Sequence, residues 1–190
     1  MSNKNLKWIY LLILSLVWGS SYILIKKSLI GLTPLQVGSL RTILSTLLLL
    51  IIGYSSIKTI PKNKWKWIAI TGYVSFIPPF LFAYAQTEID SALAAILNSL
   101  TPLATLLIGI GFYRFKIDSK QISGVILGLI GSVLLMYQGS IINPDQNIVY
   151  VIFIILASIL YALQVNLLKV YLQDVSAVAI TVGNFIFIFP

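Results

Sequence analysis

The sequence contains no cysteine and no histidine, and only 9% of its 190 residues are Asp, Glu, Lys or Arg. Without cysteine there is no disulfide framework and no thiol nucleophile, and without histidine as well the usual zinc ligand sets and the Ser-His-Asp triad are excluded. The shortage of charge excludes an ordinary water-soluble surface, which needs about 25% charged residues. What fills the chain instead is apolar, 58% of it, and a chain of that kind takes lipid as its solvent.

Apolar stretches follow one another with short polar breaks at approximately Trp8–Lys27, Pro34–Tyr54, Trp65–Gln86, Ser91–Tyr113, Gln121–Gln138 and Ile148–Lys169, and Ser176–Pro190 begins another. Each is close to the roughly 20 residues that a helix needs to cross the hydrocarbon. The predicted fold is an all-α integral membrane bundle of six spans plus part of a seventh. The longest connectors, Ser55–Lys64 and Gly139–Asn147, are too short to hold a soluble domain, so any function is built within the helices.

Thirteen bases against five acids give a net charge of +8. With the N-terminus in the cytoplasm, Lys4, Lys7, Lys58, Lys62, Lys64, Lys66, Arg114, Lys116, Lys120 and Lys169 all fall on the cytoplasmic side. That alternation is the positive-inside pattern, and it argues against a nucleic-acid surface. Trp8, Trp65 and Trp67 mark interfaces. The start of the chain resembles a signal peptide, but the apolar run resumes at Tyr22–Ile25 with no A-x-A-like site, so the first span is expected to be retained. The expected location is the cell membrane, multi-pass.

Shifting the chain by 143 places Ser158 on Ser15, Tyr161-Ala162 on Trp18-Gly19, Lys169 on Lys26 and Ser176-Ala177 on Thr33-Pro34. Many transporters are built from two inverted repeats. A five-span unit would occupy residues 1–140, with 141–190 starting a second copy, which predicts a truncated sequence; a complete seven-span protein is the other reading. Trp18-Gly19-Ser20-Ser21, Thr33-Pro34 followed by Arg41, Ala94-Ala95 leading to Leu100-Thr101-Pro102, and Gln121-x-x-Gly124 with Gly131-x-Val133-Leu134-Leu135 resemble an EamA-type member of the drug/metabolite transporter superfamily. The resemblance implies ten helices in two five-helix inverted repeats, the second incomplete here, and export of small metabolites such as amino acids. Phe115 stands where that family commonly has Glu at the end of helix 4.

Several faces are candidates for a substrate pathway. Ser15, Trp18, Gly19, Tyr22 and Lys26 share one stripe of helix 1, suited to a pathway wall or to close packing. Ser91, Ala95, Asn98, Pro102, Thr105 and Gly109 alternate at spacings of four and three in helix 4. Pro102 removes the donor that would bind the Asn98 carbonyl, so a polar kink is expected there. Pro78-Pro79 interrupt helix 3 at Val74 and Ser75, on a face shared with Gly72, Phe82 and Gln86. Pro78, Pro79 and Pro102 are therefore candidate hinges, with passive kinks as the other reading. Arg41 is the one charge well inside a span, roughly 10 Å from Pro34 at 1.5 Å per residue, with Gly38 and Ser45 beside it. Such residues usually face a polar cavity, here one for a substrate carboxylate, unless the side chain snorkels. Gly124, Gly128 and Gly131 read as a helix-packing stripe.

The sequence thus predicts a secondary transporter working by alternating access, with a pathway of Ser15, Trp18, Tyr22, Arg41, Ser75, Phe82, Asn98 and Thr105, and no enzyme. Its partners are a small-molecule substrate and the bilayer; a homodimer stays open, and no cofactor or metal is called for. A membrane-embedded enzyme on lipid-linked substrates would need paired carboxylates, His clusters or a catalytic loop. A non-transporting subunit would not need an intramembrane Arg41. No mid-span carboxylate offers a proton relay, so coupling lies elsewhere or transport is facilitated.

Overall fold

The computed structural model describes residues 3–116, 118–142 and 147–188. Among these every regular element is helical: α1 (Asn3–Ser28), α2 (Pro34–Gly53), α3 (Trp65–Glu88), α4 (Ser91–Asn98), α5 (Leu100–Tyr113), α6 (Ser119–Ile142), α7 (Val151–Tyr171) and α8 (Ala177–Ile188). This is the all-α, multi-spanning fold expected. Five segments, Leu6–Ser28, Pro34–Thr59, Lys62–Glu88, Ser91–Tyr113 and Val151–Tyr171, are long and apolar enough to cross a membrane; Ser119–Leu134 and Ala177–Ile188 are shorter apolar helices. The connector expected at Gly139–Asn147 begins later, because α6 continues to Ile142; residues 143–146 lie outside the described ones.

Local chemistry sets the helix ends. At α2, Thr33 and Gln36 form a reciprocal capping box, Thr33 N–H donating to Gln36 Oε1 at 2.9 Å and Gln36 N–H to Thr33 Oγ1 at 3.3 Å, with Pro34 in the first turn. One half of this device recurs before α8, where Ala179 N–H donates to Ser176 Oγ at 3.3 Å, 143 residues after its counterpart. The span read as Ser91–Tyr113 is two helices, interrupted at Ser99, whose N–H turns to Ile96 O at 3.0 Å. The break lies beside the carbonyl that Pro102 leaves without its helical donor. By contrast, α3 runs unbroken through Pro78 and Pro79.

Helix α3 is the hub, packed against α2, α7 and α8, while α5 packs on α7 and α1 on α4 and α3. Gly72 makes one of these approaches feasible: a Cβ there would lie 2.9 Å from the Asn184 backbone oxygen of α8. Gly124, Gly128 and Gly131 do not pack as expected; among the described residues nothing lies within 4 Å of their Cβ positions. Among the described residues α6 packs mainly on α4 and α5, and its Ser132 hydroxyl meets that of Ser99 between them.

Two apolar cores result. One gathers the end of α1, the start of α2, the end of α3, α4 and the start of α7, around Ile25, Val37, Phe82, Ile89, Leu93 and Ile154. The other surrounds Ile60, Ile68, Leu172, Val175, Ala179 and Ile180. A lysine ties a helix at each end. Lys26 Nζ donates to Gln86 O at 2.8 Å and Ile89 O at 3.1 Å, at the close of α3. Lys64 Nζ donates to Tyr171 O at 2.8 Å, at the close of α7, and pairs with Asp174 at 2.7 Å. Terminal carbonyls lack intrahelical donors and sit at the negative end of the helix dipole, so an ammonium is well matched to both places.

Candidate functional site

Between the two cores lies a cavity of about 330 Å³ whose lining includes Arg41, Ser45, Ser75, Pro79, Tyr161 and Gln164. Four elements build it: α2 brings Arg41, α3 brings Ser75 and Pro79, α7 brings Tyr161 and Gln164, and α8 closes it with Asn184. On α7 the lining descends from Tyr161 at mid-helix through Gln164 to Leu168, toward the Lys64 end. The Asn184 amide is anchored from behind, its nitrogen donating to Ile68 O and Thr71 Oγ1, both at 2.9 Å.

Arg41 is half-buried, and its Nη2 donates a long hydrogen bond of 3.5 Å to Ser21 Oγ. A second recess of about 290 Å³ lies between α1 and α2, lined by Ser21, Ser28, Val37 and leucines, and Arg41 lines this one too. The guanidinium therefore stands at the wall between two recesses. Neither contains an Asp or Glu in its lining, and the salt bridge found among the described residues is Lys64–Asp174. A guanidinium so placed offers a planar, permanently charged fork to an anion, for which carboxylate and phosphate are the geometric matches.

Beside Arg41 an aromatic layer crosses the bundle. The Tyr22 and Phe82 rings meet edge to face at 5.6 Å, and Phe82 and Tyr161 stack at 6.2 Å. Tyr22 adjoins Asn98 and lies within electrostatic reach of Arg41 and Tyr161. Thus Tyr22, Arg41, Phe82 and Asn98, chosen on sequence from four different spans, come together, and Ser75 lines the same cavity as Arg41.

Others stand apart. Ser15 is exposed and donates to Leu11 O of its own helix at 2.8 Å, and Trp18 is 64% exposed; the helix 1 stripe enters the bundle only from Tyr22 onward. Thr105 lies at the α5–α7 contact, where its carbonyl accepts from Asn166 Nδ2 at 3.0 Å. Of the candidate hinges, Pro79 lines the cavity, Pro78 is buried in α3 and Pro102 is exposed one turn beyond the Ser99 break. Phe115 lies under the Lys169 ammonium, 4.1 Å from its ring centroid, a cation–π contact.

Tyr161, Gln164 and Asn184 were not singled out from sequence as pathway residues. The 143-residue shift carried the signal: it lays Gln164 on Ser21 and Asn184 on Arg41, and both pairs surround this site.

Residues 6–137 match the EamA-like transporter family. The chain belongs to this family. Among its relatives, an uncharacterized transporter of Archaeoglobus fulgidus is 31% identical over 136 residues, 68% of this chain and 47% of the relative. A probable amino-acid metabolite efflux pump of Escherichia coli is 24% identical over 140 residues, 72% of this chain and 44% of the relative. Protein PagO of Salmonella typhimurium is 26% identical over 124 residues, covering 64% of this chain and 41% of its own length. The chain spans about half the length of the curated relatives it matches, and no solved structure matches it.

Proposed function

We propose that this chain belongs to a secondary transporter that exports small organic metabolites carrying a carboxylate, amino acids among them, across the cell membrane by alternating access. The observation that carries the proposal is Arg41: a cation facing a cavity of about 330 Å³ with no acid in its lining. That volume is at the lower end of small-ligand sites. Arg41 takes the carboxylate, Ser75, Gln164 and Tyr161 offer hydrogen bonds to the rest of the solute, and the Tyr22–Phe82–Tyr161 layer limits water on one side. The E. coli relative is named a probable amino-acid metabolite efflux pump, which supports this substrate class and direction. The distribution of lysines supports a cytoplasmic N-terminus, which puts the Lys64 end inside. The Ser99 break and the α3 prolines serve as hinges in this reading.

The test is efflux of labelled solutes from vesicles containing the protein. Saturable efflux of neutral amino acids or other small carboxylates is expected. Efflux no faster than from protein-free vesicles, across both classes, would remove the proposal.

A further inference from the structure

The Lys26-end core holds two buried polar side chains without partners among the described residues. Gln86 has no exposed surface, and among the described residues neither its Oε1 nor its Nε2 has a hydrogen-bond partner. Ser158, 1% exposed, has no partner for its Oγ either. A buried amide and hydroxyl without partners are costly, more so inside a membrane protein, where water is not close by. Groups of this kind are normally satisfied, and an arrangement that brings a polar solute to them would satisfy both.

Their position says which arrangement. Helices α3 and α7 run antiparallel, as the Trp67–Tyr171 stack at one end and the Tyr84–Phe153 contact toward the other require. Phe82 on α3 meets Tyr161 on α7. Gln86 is four residues beyond Phe82 and Ser158 three before Tyr161, so both lie one turn further toward the Lys26 end, near the same helix faces. The cavity reaches Tyr161 from the other direction. The order along the bundle is cavity, aromatic layer, then the two orphaned polar groups.

We infer that Gln86 and Ser158 are a second polar station on the solute route, beyond an aromatic gate of Tyr22, Phe82 and Tyr161, and that the Lys26 end opens to uncover them. The inference rests on the transporter reading. With the gate open, the Gln86 amide and Ser158 hydroxyl hydrogen-bond the polar groups of a small organic solute that has left Arg41. Lys26, bound to the Gln86 carbonyl, ties down the segment that moves.

The natural absence of cysteine makes the test direct. Ser158→Cys, which exchanges one atom, and Gln86→Cys are each made in the full chain and exposed in sealed vesicles to a membrane-impermeant methanethiosulfonate from the Lys26 side. Ala179→Cys, fully buried in the other core, reports general loosening. Labelling of Ser158→Cys about tenfold or more faster than Ala179→Cys is expected, with Gln86→Cys following it. Equal rates for Ser158→Cys and Ala179→Cys would overturn the inference, as they would if a resident water satisfied both groups in a core that never opens. Labelling in vesicles that transport no solute would sustain the opening while removing the transport reading. Transport with the position 158 thiol fully protected would do the reverse.

Discussion

The two ends of the bundle are closed by the same device under different conditions. At the Lys26 end a lysine caps α3 with hydrogen bonds to two carbonyls, over a core drawn from α1, α2, α3, α4 and α7 that contains the orphaned Gln86 and Ser158. At the Lys64 end a lysine caps α7, but it also pairs with Asp174, whose side chain is 54% exposed, over a smaller core flanked by the Trp67–Tyr171 stack. The exposed ion pair is screened by solvent and contributes little. The lesson is that the two closures are unequal: one rests on neutral acceptors and interior packing with unmet polar demand, the other on a pair that water and salt can reach. Ends held on different terms suit the alternating access proposed above.

The contrast can be broken most forcefully at Lys26. Lys26→Met removes the ammonium from two terminal carbonyls and is expected to cost about 1.5–3 kcal/mol, the range for hydrogen bonds to a charged group. A lowered melting temperature in detergent, together with faster labelling of Ser158→Cys, is the expected result; unchanged values for both would show that the tie holds nothing. Asn98→Leu comes next. It strips the polar neighbour of Tyr22 without removing bulk, and solute efflux should fall several-fold with membrane abundance unchanged; an unaltered rate would assign Asn98 to packing. The smallest effect is at the other end. The Lys64 ammonium, hydrogen-bonded to Asp174, holds its carboxyl below the ordinary carboxylate range. A lowered folded value means the contribution is present above the unfolded pKa and is lost as pH falls through the folded one. Wild type and Asp174→Asn should therefore unfold alike at low pH and differ slightly at neutral pH, where added salt should erase the difference. A large difference at neutral pH that salt leaves intact would make the two closures equivalent.

Much of this was legible in the sequence, for identifiable reasons. Thr33-Pro34 announces a helix start because capping and proline chemistry are local, and the structure begins α2 there. The Ser99 break follows from Pro102 for the same reason. The Pro78-Pro79 pair misled where it suggested a broken helix: α3 is gripped along its length by α2, α7 and α8 and stays continuous. The α6 glycines look like a packing stripe, yet sequence does not say whether a partner is on that side. Ser15 and Trp18 share a stripe with Tyr22, but periodicity cannot tell where along a helix its neighbours begin. Gln86 was noted only as sharing a face with the prolines. Its isolation is a property of what surrounds it, and no local pattern encodes that.

Whether Arg41 reads a carboxylate is tested most directly by efflux of a labelled neutral amino acid from vesicles carrying wild type or Arg41→Ala, challenged with the unlabelled amino acid or its amide. For wild type, the amino acid should compete at a concentration about tenfold or more below that of the amide, since a charge-assisted contact is worth roughly 1.5–3 kcal/mol. Arg41→Ala, inserted at wild-type abundance, should lose most efflux, and the remainder should not distinguish the two competitors. A variant that transports at the wild-type rate and keeps the preference for the carboxylate would contradict the assignment.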